Sequence, residues 1–132
     1  MTNSQHTTLT TLVNLFEQHH GPDILAVEEG DAAIRLKLFI PSTTKWFNGH
    51  FPEQPVLPGV VQVDWAIKLA KAVFPNRGKF SHITNLKFTS VVMPDTELTL
   101  ALTVASAKAS VSFHYFNTTE SFSTGNIKFH IS

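Results

Sequence analysis

Apolar residues recur along the chain with two different periods, and the changes between them mark out the elements. Leu9, Leu12, Val13 and Phe16 fall at helical spacing within residues 8–19, and Gly21-Pro22 stops the pattern, which predicts a short amphipathic helix. From 24 to 40 the period is two. Ile34, Leu36, Leu38 and Ile40 alternate with Arg35, Lys37 and Phe39, and Glu29-Gly30-Asp31 separates this run from Ile24–Val27, so a hairpin with one buried face is expected. The helical period returns at Val60, Val61, Val63, Ala66, Ile67, Leu69, Ala70 and Val73. Pro58 suits the first turn of that helix, where its missing N–H costs nothing, and Pro75-Asn76-Arg77-Gly78 ends it. Apolar side chains lie nearly all round it as far as Lys68, which predicts a central helix whose first half is buried on most sides. Alternating runs at 80–92, 96–106, 110–116 and 121–131 then predict a four-strand meander, with breaks at Met93-Pro94-Asp95, Ala107-Lys108 and Asn117-Thr118-Thr119.

Helix, hairpin, long loop, helix and meander make an α+β arrangement in which one antiparallel sheet surrounds a helix. A length of 132 residues, 42% of them hydrophobic and eleven of them Phe, suits a single domain over residues 1–132 with a substantial core. Cysteine is absent, so neither disulfides nor thiolate chemistry is available. Ten Lys and Arg balance ten Asp and Glu, which gives no reason to expect nucleic acid as a partner. The charge is unevenly spread, however. Between Trp65 and Pro94 there is no acidic residue, whereas Lys68, Lys71, Arg77, Lys79 and Lys87 are all basic, making either a solvated face or a surface for an acidic partner. The polar N-terminus and the lack of any membrane-length apolar run predict a soluble, cytoplasmic protein.

The candidate chemistry is concentrated between residues 49 and 64. Residues 41–57 carry no sustained periodicity and form a long, proline-rich connection, a type of segment that often bears function. Within it His50 is flanked by Gly49, Pro52 and Pro55, which restrict the backbone, and an imidazole with a pKa near ~6.5 can take up a proton at physiological pH. Taken alone, a loop histidine is more often structural than catalytic. Gly59 opens the predicted helix, where free N–H groups at the positive end of the dipole can stabilise an oxyanion and a missing side chain admits a carbonyl; Pro58-Gly59 also makes an ordinary turn. Asp64 falls on the stripe of Val60, Val63 and Ile67, where burial would cost several kcal/mol, roughly, for an unpaired carboxylate. It is either kept protonated by desolvation, and so able to donate a proton, or paired, with Lys68 at i+4 as the candidate. None of the remaining histidines shows metal-ligand spacing.

The run Gly49-His50-Phe51-Pro52-Glu53-Gln54-Pro55-Val56-Leu57-Pro58-Gly59-Val60, with Asp64 fourteen residues after His50, resembles the signature of the hot-dog fold 3-hydroxyacyl-[acyl-carrier-protein] dehydratases. The resemblance extends to the order of elements over nearly the whole chain. It implies that His50 removes the C2 proton of a (3R)-3-hydroxyacyl thioester, that Asp64 protonates the departing C3 hydroxyl, and that the Gly59 N–H holds the thioester oxygen as an enolate forms. It further implies a homodimer, or a higher oligomer built from it, with each site shared between protomers and with no metal or organic cofactor. The substrate would be carried on the phosphopantetheine of an acyl carrier protein, for which Lys68, Lys71, Arg77 and Lys79 offer a docking face. The chain departs from the family pattern twice: the acid is Asp where the fatty acid cycle enzymes mostly have Glu, and Lys68 stands where Gln is common. The phrase Val60-Val61-Gln62-Val63-Asp64-Trp65-Ala66-Ile67 is more similar to the dehydratases of aryl polyene synthesis. A thioesterase on the same fold and a noncatalytic, carrier-binding partner subunit are the alternatives.

Overall fold

Six strands and one long helix succeed one another among the described residues, which in the computed structural model are Leu12 and residues 14–47, 55–75, 78–105 and 109–130. They are β1 (Asp23–Glu29), β2 (Ala33–Ile40), α1 (Gly59–Val73), β3 (Lys79–Phe88), β4 (Thr96–Val104), β5 (Ser110–Phe116) and β6 (Ser121–His130). A 3-10 turn, Lys45–Phe47, precedes α1. Alternation chose the inward faces as expected. Ile34, Leu36 and Leu38 of β2 stand opposite Leu102, Leu100 and Leu98 of β4, and all six are buried. Val111, Phe113 and Tyr115 of β5 and Ile127 and Phe129 of β6 continue the same surface, and Trp65, Ala66, Leu69, Ala70 and Val73 of α1 complete the core.

The strand order is β1-β2-β4-β5-β6-β3, antiparallel throughout, so the expected four-strand meander is corrected: β4, β5 and β6 are consecutive, but β3 pairs with β6 at the far edge. Residues 89–95 make the crossing. The Thr89 N–H donates to the Phe122 carbonyl at one side, Val92 forms a bridge with Leu57 midway, and the Asp95 N–H donates to the Ile40 carbonyl at the other. Alternation specifies which face of a strand is buried and carries no information about its neighbour.

Two helix expectations are also corrected. Residues 14–20 form turns rather than the end of a helix, and His19 takes a positive φ of 67°; residues 1–11 and 13 lie outside the described residues. In α1 the face opposite the sheet stays open. Val60 is 75% exposed, Asp64 and Lys68 are exposed, and Val63 and Ile67 are only partly covered, because the sheet supplies packing on one side alone.

Gly125 shows how tightly the inner face is filled. It stands opposite Phe113 across the β5–β6 ladder, and a Cβ there would lie 2.6 Å from that buried ring. With Phe113 unable to move, any side chain at this place would overpack the core at a cost of about 1–3 kcal/mol.

Candidate active site

The beginning of α1 has the free donors expected of a helix start. The Pro58 carbonyl accepts from the N–H groups of Val61 (3.1 Å) and Gln62 (3.2 Å), and the Gly59 and Val60 N–H groups have no backbone acceptor among the described residues. Packing adds a reason for glycine at 59 that the sequence does not show. Its φ is not in the left-handed region, and the space a Cβ would take is filled by the ring of Phe88, from the end of β3, with ring carbons 2.7–3.2 Å from the ideal Cβ position. Phe88 is itself 48% exposed, so its ring packs on the glycine from the surface of the protein.

Asp64, one and a half turns further along, is not buried as the Val60–Ile67 stripe suggested: its side chain is 51% exposed and its Oδ2 lies 3.1 Å from the Lys68 Nζ. The i+4 pairing is therefore the one observed, and an exposed pair of this kind contributes only about 0.3–0.5 kcal/mol. On the inner side of the same turn sits Tyr115, fully buried, whose hydroxyl donates to the Gln62 carbonyl at 2.7 Å. Burial first, and the nearby Asp64 charge second, push the Tyr115 phenol well above the ordinary tyrosine range.

This upward shift has a testable sign. The unfolded chain releases the phenol proton near pH ~10, whereas the folded chain keeps it, so stability present below that pH is lost as pH rises towards the raised value. Tyr115 is the chain's one tyrosine, so tyrosinate absorbance reports it alone. In an alkaline titration the native protein should show no tyrosinate at pH ~10 and a sudden appearance on unfolding; a smooth ionisation centred there, with the fold intact, would contradict the burial. Tyr115→Phe should cost about 1 kcal/mol at neutral pH through the lost hydrogen bond.

Two indoles tie this helix to the connection that precedes it. Trp65, next to Asp64, and Trp46 both donate their Nε1–H to the carbonyl of His20, at 3.1 and 2.7 Å, while the Lys45 N–H donates to the His19 carbonyl at 2.8 Å. The turn at 19–20 thus joins the base of the connection leading toward His50 to the Asp64 turn of α1. Neither tryptophan was singled out from the sequence. The available signal was chemical: a buried indole needs an acceptor for its N–H. Gln62 was likewise overlooked, being one polar letter in an apolar run.

His50, with its neighbours from Asn48 to Gln54, lies outside the described residues, as does Arg77. Of the basic residues read as a docking face, Lys68 and Lys71 line an open hollow of about 400 Å³ with Leu15 and Ala72, and Lys79 is exposed at the start of β3. No three His, Cys, Asp or Glu side chains converge as a metal site would require among the described residues.

A six-stranded antiparallel sheet packed on one long helix, among the described residues, is the arrangement of a hot-dog fold protein. Residues 26–126 match the model of the ApeI-like family, described as ApeI dehydratase, and the chain belongs to that family. The 3-hydroxyacyl-[acyl-carrier-protein] dehydratase FabZ of Geobacillus thermodenitrificans is 35% identical over 95 residues, which are 67% of this chain and 65% of the relative, so the match spans a little under two thirds of that enzyme. Among solved structures, the dehydratase heterocomplex ApeI:P from Xenorhabdus doucetiae superposes with a TM-score of 0.75 at 32% identity, covering 82% of this chain and 96% of that one. A zebra fish thioesterase superfamily member 2 superposes at 0.63 over 96% of this chain and all of that one, but at 10% identity it shares the fold alone. No helix among the described residues is long and apolar enough to cross a membrane.

Proposed function

We propose that the protein dehydrates (3R)-3-hydroxyacyl thioesters held on an acyl carrier protein to trans-2-enoyl thioesters, in fatty acid or aryl polyene type biosynthesis. One observation carries the proposal: a helix-start amide at Gly59 with no backbone acceptor among the described residues and an accessible carboxylate at Asp64 lie on consecutive turns of the same helix, in a chain of the ApeI-like dehydratase family. Elimination needs these two groups and a base. His50 takes the C2 proton, the Gly59 N–H donates to the thioester oxygen as negative charge moves onto it, and Asp64, carrying a proton in the substrate complex in place of the Lys68 pair of the single chain, gives that proton to the C3 hydroxyl as water leaves. These transfers use side chains and a backbone amide, without a metal ion or organic cofactor.

The surface supports assembly. β3 is an edge strand, and Phe80, Leu86 and Phe88 on it, with Val91 just beyond and Val60 at the start of α1, are exposed apolar residues. An edge of this composition is left uncovered at a cost that a second protomer removes, and the half-open face bearing Asp64 is where the partner's His50 would enter. The solved dehydratase heterocomplex ApeI:P favours a second reading, pairing with a different protein. Lys68, Lys71, Arg77 and Lys79 would attract the acidic carrier protein, and the site of action would be the cytoplasm.

Incubation of purified protein with a 3-hydroxyacyl-carrier protein, followed by mass spectrometry of the intact carrier, should show loss of one water from the acyl chain. Release of free carrier would instead indicate a thioesterase. An unchanged acyl-carrier bound at stoichiometric amounts would indicate a noncatalytic partner, and size measurement of the same sample separates the homodimer from a monomer awaiting a different subunit.

A further inference from the structure

Gln62 is almost completely buried, and both ends of its amide are used. Its Nε2 donates to the carbonyl of Leu57 at 3.3 Å, and its Oε1 accepts from the Ser123 hydroxyl of β6 at 2.7 Å. Its main chain is engaged as well: the N–H donates to the Pro58 carbonyl, and the carbonyl accepts the Tyr115 hydroxyl from β5. One residue therefore grips the chain at 57 and at 58, on the near side of Gly59, and fastens that grip to two strands of the sheet. Leu57 is held from the other direction by its N–H, which donates to the Val92 carbonyl at 2.8 Å.

A side chain of similar volume such as methionine would fill the place, but it would leave the buried Ser123 hydroxyl and the Leu57 carbonyl without this partner. What an apolar residue cannot do is bond the Leu57 carbonyl and the Ser123 hydroxyl at once; a carboxylate could accept from Ser123 but could not donate to Leu57. Satisfying both gives the peptide planes from Leu57 to Gly59 a single orientation, and with them the direction of the Gly59 N–H.

We infer that Gln62 is a positioning residue, one that aims the Gly59 N–H at the thioester oxygen by tying Leu57 to Ser123; this rests on the dehydratase function proposed above. A misdirected oxyanion donor weakens stabilisation of the enolate much more than binding of the ground-state thioester. Gln62→Met should therefore lower kcat by roughly tenfold to a hundredfold, with KM changed by less than about threefold. Ser123→Ala, which deletes one hydroxyl and keeps the Leu57 bond, should lower kcat by a smaller factor in the same way and provides the measurement should Gln62→Met fail to fold. Steady-state kinetics of both variants on a 3-hydroxyacyl-carrier protein should be joined by exchange of the C2 hydrogen in deuterated water, which reports enolate formation and should slow in proportion to kcat. Wild-type protein without dehydration would defeat the proposed function. An active wild type with kcat in both variants within twofold of it, or a loss expressed equally in KM, would overturn the role of Gln62.

Discussion

Asp64→Asn is expected to abolish dehydration while hardly touching the fold. The carboxamide keeps the shape of the side chain and cannot give a proton to a departing hydroxyl, so kcat should fall by about 10²–10⁴-fold, the usual scale for general acid–base catalysis. Stability should change little. The side chain is half exposed, and its ion pair with Lys68 is of a kind that contributes less than about 1 kcal/mol. Thermal denaturation beside the mass-spectrometric assay checks both halves of the expectation. If the variant retained full activity, the carboxylate would be reduced to a surface ion pair; if it unfolded, Asp64 would have a structural role that its exposure does not reveal.

His50→Ala should produce a loss of the same order and, in addition, a change in the pH profile. A base must be unprotonated to accept, so wild-type kcat/KM should rise with pH through the histidine range near ~6.5, and this limb should vanish from the residual activity of the variant. The two variants also test whether sites are shared. When His50→Ala and Asp64→Asn chains are mixed and allowed to exchange, half of the dimers are mixed, and a mixed dimer has one intact site of two if His and Asp come from different protomers. Roughly a quarter of wild-type activity should then reappear from two inactive proteins. No recovery, with exchange verified by mass, would place both groups of a site on one chain.

Much of the fold was legible because it follows from local periodicity. Ser110–Phe116 alternates so regularly that the expected and observed bounds coincide, and α1 starts at Gly59 after Pro58, as a helix with a fixed first turn should. The errors came where a pattern had to be converted into an environment. The stripe Val60, Val63, Asp64 and Ile67 is apolar enough to suggest a buried face, but burial depends on what lies opposite, and the sheet covers only the side bearing Val61, Trp65 and Leu69. The packing reason for the glycine at 59 was equally out of reach, since the ring that fills the place of its Cβ belongs to Phe88, almost thirty residues away in sequence.

Residue order alone was sufficient for the inward faces of β2, β4, β5 and β6 and the bounds of the central helix, and it set His50, Gly59 and Asp64 within sixteen residues of chain, since each depends on neighbours along the chain. The Lys68 partner of Asp64 was already one of two readings of the sequence, whereas placement of β3 beside β6, the cover of only one side of α1 by the sheet, convergence of two indoles on the His20 carbonyl and the Gln62–Ser123 tie required the folded chain. Each of these is a contact between segments that periodicity treats independently, and the free energy that selects one pairing over another is spent on packing and hydrogen-bond satisfaction across the core rather than on any local preference.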